Sequence, residues 1–187
     1  MAEGVLRIDE ASSEFAERIA ELCGVNVDLC FQCGKCASGC PVAYAMDHTP
    51  TELVHMVQLG LREQVLRSRT IWLCSSCQTC STRCPQGVDV AELMDALRIM
   101  AQQGRIAAPV PAVPAFVRQS VRNIAVFGRT YELGLMATLK LSTGGLREEL
   151  GLGVRMLGKG KFRLLPGFQG SGEARRIIRR VKAREKR

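Results

Sequence analysis

Three features of the sequence predict an all-α fold. Apolar residues recur three and four positions apart along several segments. Capping signatures stand ahead of those segments. No stretch alternates apolar and polar residues as a half-buried strand would.

Asp9 to Leu22 reads as the first helix, with Phe15, Ile19 and Leu22 along one side and Gly24 as its stop. Cys30 to Pro41 reads as a loop containing Gly and Ser. In Thr49-Pro50-Thr51-Glu52, Thr49 can cap, Pro50 fits the first helical position and Glu52 closes a capping box. The helix that follows carries Leu53, Val54, Val57 and Leu61 along one side, and Gly60 weakens it without breaking it. A second loop runs from Cys74 to Pro85. Asp89 caps the next helix, with Glu92 three residues on and Val90, Leu93, Met94, Leu97 and Met100 as its apolar stripe. Pro109, Pro111 and Pro114 mark a linker. Beyond it, Phe116 to Phe127 and Tyr131 to Leu141 read as helices. Gly144 to Gly172 reads as partly irregular, and Glu173 to Lys186 as a short basic helix or a tail. The expected division is a domain over 1–108 and a helical C-terminal extension over 109–187 ending in a basic tail.

Composition narrows the chemistry. Hydrophobic residues make up 47% of the 187 residues but aromatics only 5%, so the core has few large rings and a bound cofactor could add stability. No apolar run approaches the roughly 20 residues of a membrane-spanning helix. The start, Met1-Ala2-Glu3-Gly4, lacks the basic and apolar regions of a signal peptide. A cytoplasmic location without direct membrane insertion is expected. Disulfides are disfavoured there, so nine cysteines, all between Cys23 and Cys84, point to metal binding.

Eight of the nine fall into two blocks of the form C-x2-C-x2-C-x3-C-P. The first is Cys30, Cys33, Cys36, Cys40 and Pro41; the second is Cys74, Cys77, Cys80, Cys84 and Pro85. The blocks lie 44 positions apart (74 − 30). Three closely spaced thiolates can wrap one face of a cubane and bind three irons. The fourth iron needs a sulfur from elsewhere, and the proline turns the chain away. This spacing is that of bacterial two-cluster ferredoxins, in which the fourth cysteine serves the other cluster. Two [4Fe–4S] clusters are therefore expected. Cys30, Cys33, Cys36 and Cys84 would hold one; Cys74, Cys77, Cys80 and Cys40 would hold the other. Eight thiolates and two oxidised cores of about +2 each would bring the formal charge of +8 to about +4. A capped helix fills the gap from Pro41 to Leu73, where small bacterial ferredoxins have a strand-rich segment. That points to an α-helical ferredoxin.

Other readings weigh less. Zinc usually takes pairs of C-x2-C, not triplets followed by Cys-Pro. Cys23 reads as a small buried residue on the first helix, and His48 and His55 as surface or capping groups. Lys35 and Arg83 flank thiolates of the first cluster. Ser75, Ser76, Gln78, Thr79, Ser81 and Thr82 crowd the second block with donors, so its cluster is expected at the higher potential. No nucleophile set stands out as catalytic. Gly151-Leu152-Gly153 and Gly158-Lys159-Gly160 follow no strand and are weak dinucleotide candidates. The C-terminal arginines and lysines lack interleaved aromatics for base stacking, so a partner-docking tail is preferred to nucleic-acid binding.

The run Cys30-Phe31-Gln32-Cys33-Gly34-Lys35-Cys36 through Cys40-Pro41, then Trp72-Leu73-Cys74 through Cys84-Pro85, resembles the C subunit of heterodisulfide reductase. Phe127-Gly128-Arg129-Thr130-Tyr131-Glu132 is similar too, as is Leu164-Leu165-Pro166 before a basic end. The resemblance covers most of the chain. It implies a non-catalytic electron-transfer subunit of an oxidoreductase complex, one member of a hetero-oligomer. Electrons would pass between two partners: the A subunit, which contains flavin, and the catalytic B subunit, which reduces the CoM–CoB heterodisulfide in methanogenesis. The Cys-Cys-Gly motifs of that catalytic partner are missing here, so nothing carries over for disulfide cleavage. Similar subunits serve complexes outside methanogens. The iron–sulfur subunit of succinate dehydrogenase or fumarate reductase is a further alternative, although its extra C-x4-C-x2-C block has no counterpart here.

Overall fold

The computed structural model describes residues 11–143, 158–159 and 167–185. Among them the regular elements are helices, and there is no strand. The chain divides into two compact units, Met1–Pro111 and Ala112–Arg187.

In the first unit, α1 (Ala11–Cys23) buries Phe15 and Ile19. Leu22, on the same stripe by spacing, is 42% exposed instead. Asp9 and Glu10, read as the start of this helix, lie outside the described residues. The helix ends at Gly24, whose φ of +72° is open to glycine and costly for other residues. The first cysteine loop is not all loop, since α2 (Lys35–Ser38) forms within it.

α3 (Pro50–Gln58) begins on the expected capping box. Thr49 Oγ1 accepts the Glu52 N–H at 3.3 Å, and Glu52 Oε2 accepts the Thr49 N–H at 2.7 Å. Leu53, Val54 and Val57 are fully buried. The helix stops at Gln58, and Gly60 adopts φ +69°. Gly60 thus lies past the end of the helix that the sequence let run on, and Leu61 falls outside it. Two short helices then fill the gap, α4 (Arg62–Arg67) and α5 (Thr70–Leu73). Each is too short for periodicity to register, yet they bury Val65, Leu66, Ile71 and Trp72.

α6 (Thr79–Arg83) forms within the second cysteine loop. α7 (Val90–Gln103) follows, with Asp89 Oδ1 accepting the Glu92 N–H at 3.0 Å, and its whole predicted stripe is buried. α1, α4, α5 and α6 pack on α7, while α1, α2 and α4 pack on α3. Each cysteine loop therefore rests on the long helix that follows it. α2 and α6 also pack on each other, which brings the two loops together.

In the second unit, α8 (Ala112–Phe127) packs with both α9 (Glu132–Thr143) and α10 (Ser171–Glu185). Pro114 belongs to the first turn of α8, where proline is tolerated, and not to a linker. Asn123 turns the chain between α8 and α9. Its Oδ1 accepts the Tyr131 N–H at 2.6 Å and its Nδ2 donates to the Tyr131 carbonyl at 3.2 Å. Gly128, at φ +77°, has no room for a side chain: a Cβ there would collide with the Gln169 carbonyl oxygen. Most of the stretch read as irregular, 144–157 and 160–166, lies outside the described residues. The basic end is helical in α10, with Ile177 and Val181 exposed.

Candidate metal centre

The two cysteine blocks repeat in backbone as well as in sequence. Gln32 and Gly34 take φ values of 60° and 76°; Ser76 and Gln78, each 44 positions on (76 − 32, 78 − 34), take 50° and 62°. Three of these four are not glycine, and each such left-handed residue costs about 1–2 kcal/mol. Alternating left- and right-handed residues turn successive N–H groups inward and form a concave nest for negative charge. Both loops turn left-handed at the same places, at a cost everywhere but Gly34.

Cys30 follows a 3-10 turn (Val27–Leu29), and Cys74 follows α5. Cys33 and Cys77 are exposed at matching positions, while Cys36 is buried on α2. Cys40 does not stay with its own block. It lines one cavity with Cys74, Cys77 and Cys80, walled by Met46 and Met94. On the other side, burial pushes the Cys30 thiol up, the Gln32 N–H opposes it, and Cys36, Cys84 and Cys33 add to the rise. Cys84 thus stands near Cys30 of the first block. Cys74 is likewise pushed up by burial, against the pull of the Ser76 N–H and Arg98, and it senses Cys40.

Several polar groups reach the sulfurs. Gln32 Nε2 lies 3.5 Å from Cys30 Sγ, and Thr51 Oγ1 lies 3.1 Å from Cys36 Sγ. The Val88 N–H donates to Cys84 Sγ at 3.3 Å, and Thr79 Oγ1 lies 3.4 Å from Cys77 Sγ. Not every hydroxyl of the second block serves a sulfur. Ser81 Oγ donates to Asp89 Oδ1 at 2.5 Å, and Thr82 Oγ1 bonds the carbonyls of Gln78 and Thr79. Lys35 is exposed. Arg83 lies across the first block: a Cβ on Gly39 would be 2.7 Å from its Nη1. Gly39 has φ −96°, so what glycine supplies there is space.

Among the described residues, no three His, Cys, Asp or Glu side chains are drawn together tightly enough to grip a single ion. The fit of a larger core rests on the donor set. Soft thiols with apolar walls and inward N–H groups suit an iron–sulfur core. Cys23 is half-buried at the end of α1, with its thiol donating to the Ile19 carbonyl at 3.2 Å. His55 pairs through Nδ1 with Gln58 Oε1 at 3.3 Å, and the His48 N–H bonds Thr70 Oγ1 at 3.1 Å.

Sequence reading missed three residues that shape the loops. Gln58, on α3, reaches the carbonyls of Val27 and Cys30 at 2.9 and 3.0 Å. Arg98, on α7, reaches the Cys74 carbonyl at 3.2 Å and Ser76 Oγ at 2.9 Å. Asp47 fastens the segment before α3 to the start of α5. It accepts hydrogen bonds from the Ser68 hydroxyl and from the N–H groups of Arg69 and Thr70, at 2.7, 2.7 and 2.9 Å. Burial would raise the Asp47 carboxyl, but these bonds outweigh it and hold the group far below the usual carboxylate range. Gln58 and Arg98 sit at different offsets from their blocks, so the 44-residue repeat does not point to them.

Residues 26–88 match the family described as a 4Fe-4S dicluster domain. Among curated relatives, the C subunit of the H(2):CoB-CoM heterodisulfide,ferredoxin reductase of Methanothermobacter marburgensis is 28% identical over 132 residues, covering 70% of this chain and 71% of that one. The heterodisulfide reductase C-subunit-like protein of Archaeoglobus profundus is 32% identical, covering 75% of this chain and 71% of its own length. The iron-sulfur C subunit of the CoB–CoM heterodisulfide reductase of Methanopyrus kandleri is 31% identical over 60% of this chain and 64% of that one.

Proposed function

The chain belongs to the family of heterodisulfide reductase C subunits, and we therefore propose that it relays electrons through two [4Fe–4S] clusters to the subunit that reduces the CoM–CoB heterodisulfide. The other neighbour in the relay would be a flavin-containing subunit. The observation that carries this reading is the exchange between the blocks: Cys40 shares a cavity with Cys74, Cys77 and Cys80, and Cys84 stands near Cys30. We assign the ligands accordingly, Cys30, Cys33, Cys36 and Cys84 to one cluster and Cys74, Cys77, Cys80 and Cys40 to the other. When bound, such clusters supply one-electron redox chemistry. The chain's own part is to hold them close, to wall them with apolar side chains, and to leave an edge of each loop at Cys33 and Cys77.

Catalysis at the disulfide belongs, in this reading, to another subunit. The cluster-bearing domain is 1–108, and 109–187 docks a partner, with α10 offering Ile177 and Val181 among arginines and lysines. The proposed compartment is the cytoplasm, where thiols stay reduced. A second reading is the matching subunit of a related oxidoreductase complex with another acceptor. In its favour, the similar Archaeoglobus profundus protein is named as heterodisulfide reductase C-subunit-like without CoB or CoM.

The test is purification without oxygen from the native host. About eight irons and eight sulfides per chain are expected, together with a flavoprotein and a subunit with Cys-Cys-Gly motifs. A colourless, zinc-loaded chain, or one with half the iron, would overturn the two-cluster reading.

A further inference from the structure

The helix that follows each cysteine loop sends one side chain back to grip it. From α3, Gln58 Nε2 donates to the Cys30 carbonyl at 3.0 Å, and Gln58 Oε1 accepts from Gln32 Nε2 at 3.1 Å. From α7, Arg98 Nη1 donates to the Cys74 carbonyl at 3.2 Å and Nη2 to Ser76 Oγ at 2.9 Å. Cys30 and Cys74 open their blocks, and Gln32 and Ser76 are matching left-handed residues. The two clamps therefore hold equivalent places, but Gln58 is neutral and Arg98 is a permanent cation.

The difference survives its surroundings. The Arg98 side chain is only 19% exposed, so water screens it less than it screens a surface charge. Its ion-pair partner, Asp95, is 45% exposed and offsets part of the charge. Arg98 nevertheless stands nearer the loop, donating to the Cys74 carbonyl and to Ser76 Oγ. The cations near the first block, Lys35 and Arg83, are both exposed, so water screens them.

We propose that Arg98 sets the midpoint of the cluster bound by Cys74, Cys77, Cys80 and Cys40 above that of its neighbour, so that an electron arriving at either edge settles on the second block. This rests on the crossed two-cluster reading above. The transfer is one electron out of one core and into the other, with no bond made or broken and no proton required. Arg98 does not touch the reacting atoms; it acts through the loop and through its field, as a positioning residue.

An anaerobic redox titration followed by electron paramagnetic resonance tests this on the full chain with both clusters in place. Cys33→Ser and Cys77→Ser variants assign the two signals. Arg98→Gln, which copies the neutral clamp, is expected to lower the second midpoint alone. Reduction there becomes about three- to tenfold less favourable, tenfold being about 59 mV for a one-electron couple. Arg98→Lys keeps most of the gap. Asp95→Asn, which removes the offsetting carboxylate, moves the same midpoint up. Equal midpoints in the wild type overturn the proposal, as does an Arg98→Gln shift that is absent or shared equally by both clusters. If Arg98→Gln does not assemble, Asp95→Asn decides alone, and the lack of a rise overturns the proposal. Too little iron for two clusters in the wild type overturns the underlying reading first, and is seen before any titration.

Discussion

Cys84 ends α6 and accepts the Val88 N–H at 3.3 Å, yet it acts on Cys30 of the other block. The crossed assignment makes a one-residue prediction from this. Cys84→Ser is expected to disturb the cluster held by Cys30, Cys33 and Cys36 and to leave the other signal in place. Loss confined to the second block's cluster, seen by electron paramagnetic resonance, would reject crossed ligation. The sequence marks the eight sulfurs because their spacing is rigid and local. It does not mark Gln32, Ser76 and Gln78 as left-handed, since nothing in an isolated Gln or Ser asks for positive φ. That conformation is fixed by tertiary partners, Gln58 on Gln32 and Arg98 on Ser76 among them.

The long helices are legible one by one. Thr49 and Asp89 cap α3 and α7, and both apolar stripes are buried as their spacing predicts, Leu61 apart. α4 and α5 are not legible, because six and four residues are too few for a periodic signal. Their placement depends on Asp47, an acid in a loop whose role appears only when Ser68, Arg69 and Thr70 fold against it. Asp47→Ala is expected to cost about 1–2 kcal/mol at neutral pH, read as a lower melting temperature. The sign with pH follows from its depressed folded value. The contribution is complete above the unfolded value of about 3.9 and is lost as pH falls below it, so wild type and variant converge in acid. A gap that widens as pH falls would contradict this role.

Across the chain as a whole, the described residues of the first unit contain all nine cysteines and both loop clamps. A chain ending at Pro111 is expected to keep its iron content and both midpoints while losing co-purification with partner subunits. Loss of iron on truncation would show that the second unit is needed for assembly. The sulfur donors, their repeat, the helical class and the helix caps can all be read from the sequence alone, because each is written in residues a few positions apart. Folding in three dimensions sets the rest: Cys40 lines a cavity with the second block, Arg83 lies over Gly39, and a neutral and a charged side chain grip equivalent loops. Those relations join segments some twenty to forty-five residues apart, and packing between helices fixes them without leaving a local pattern.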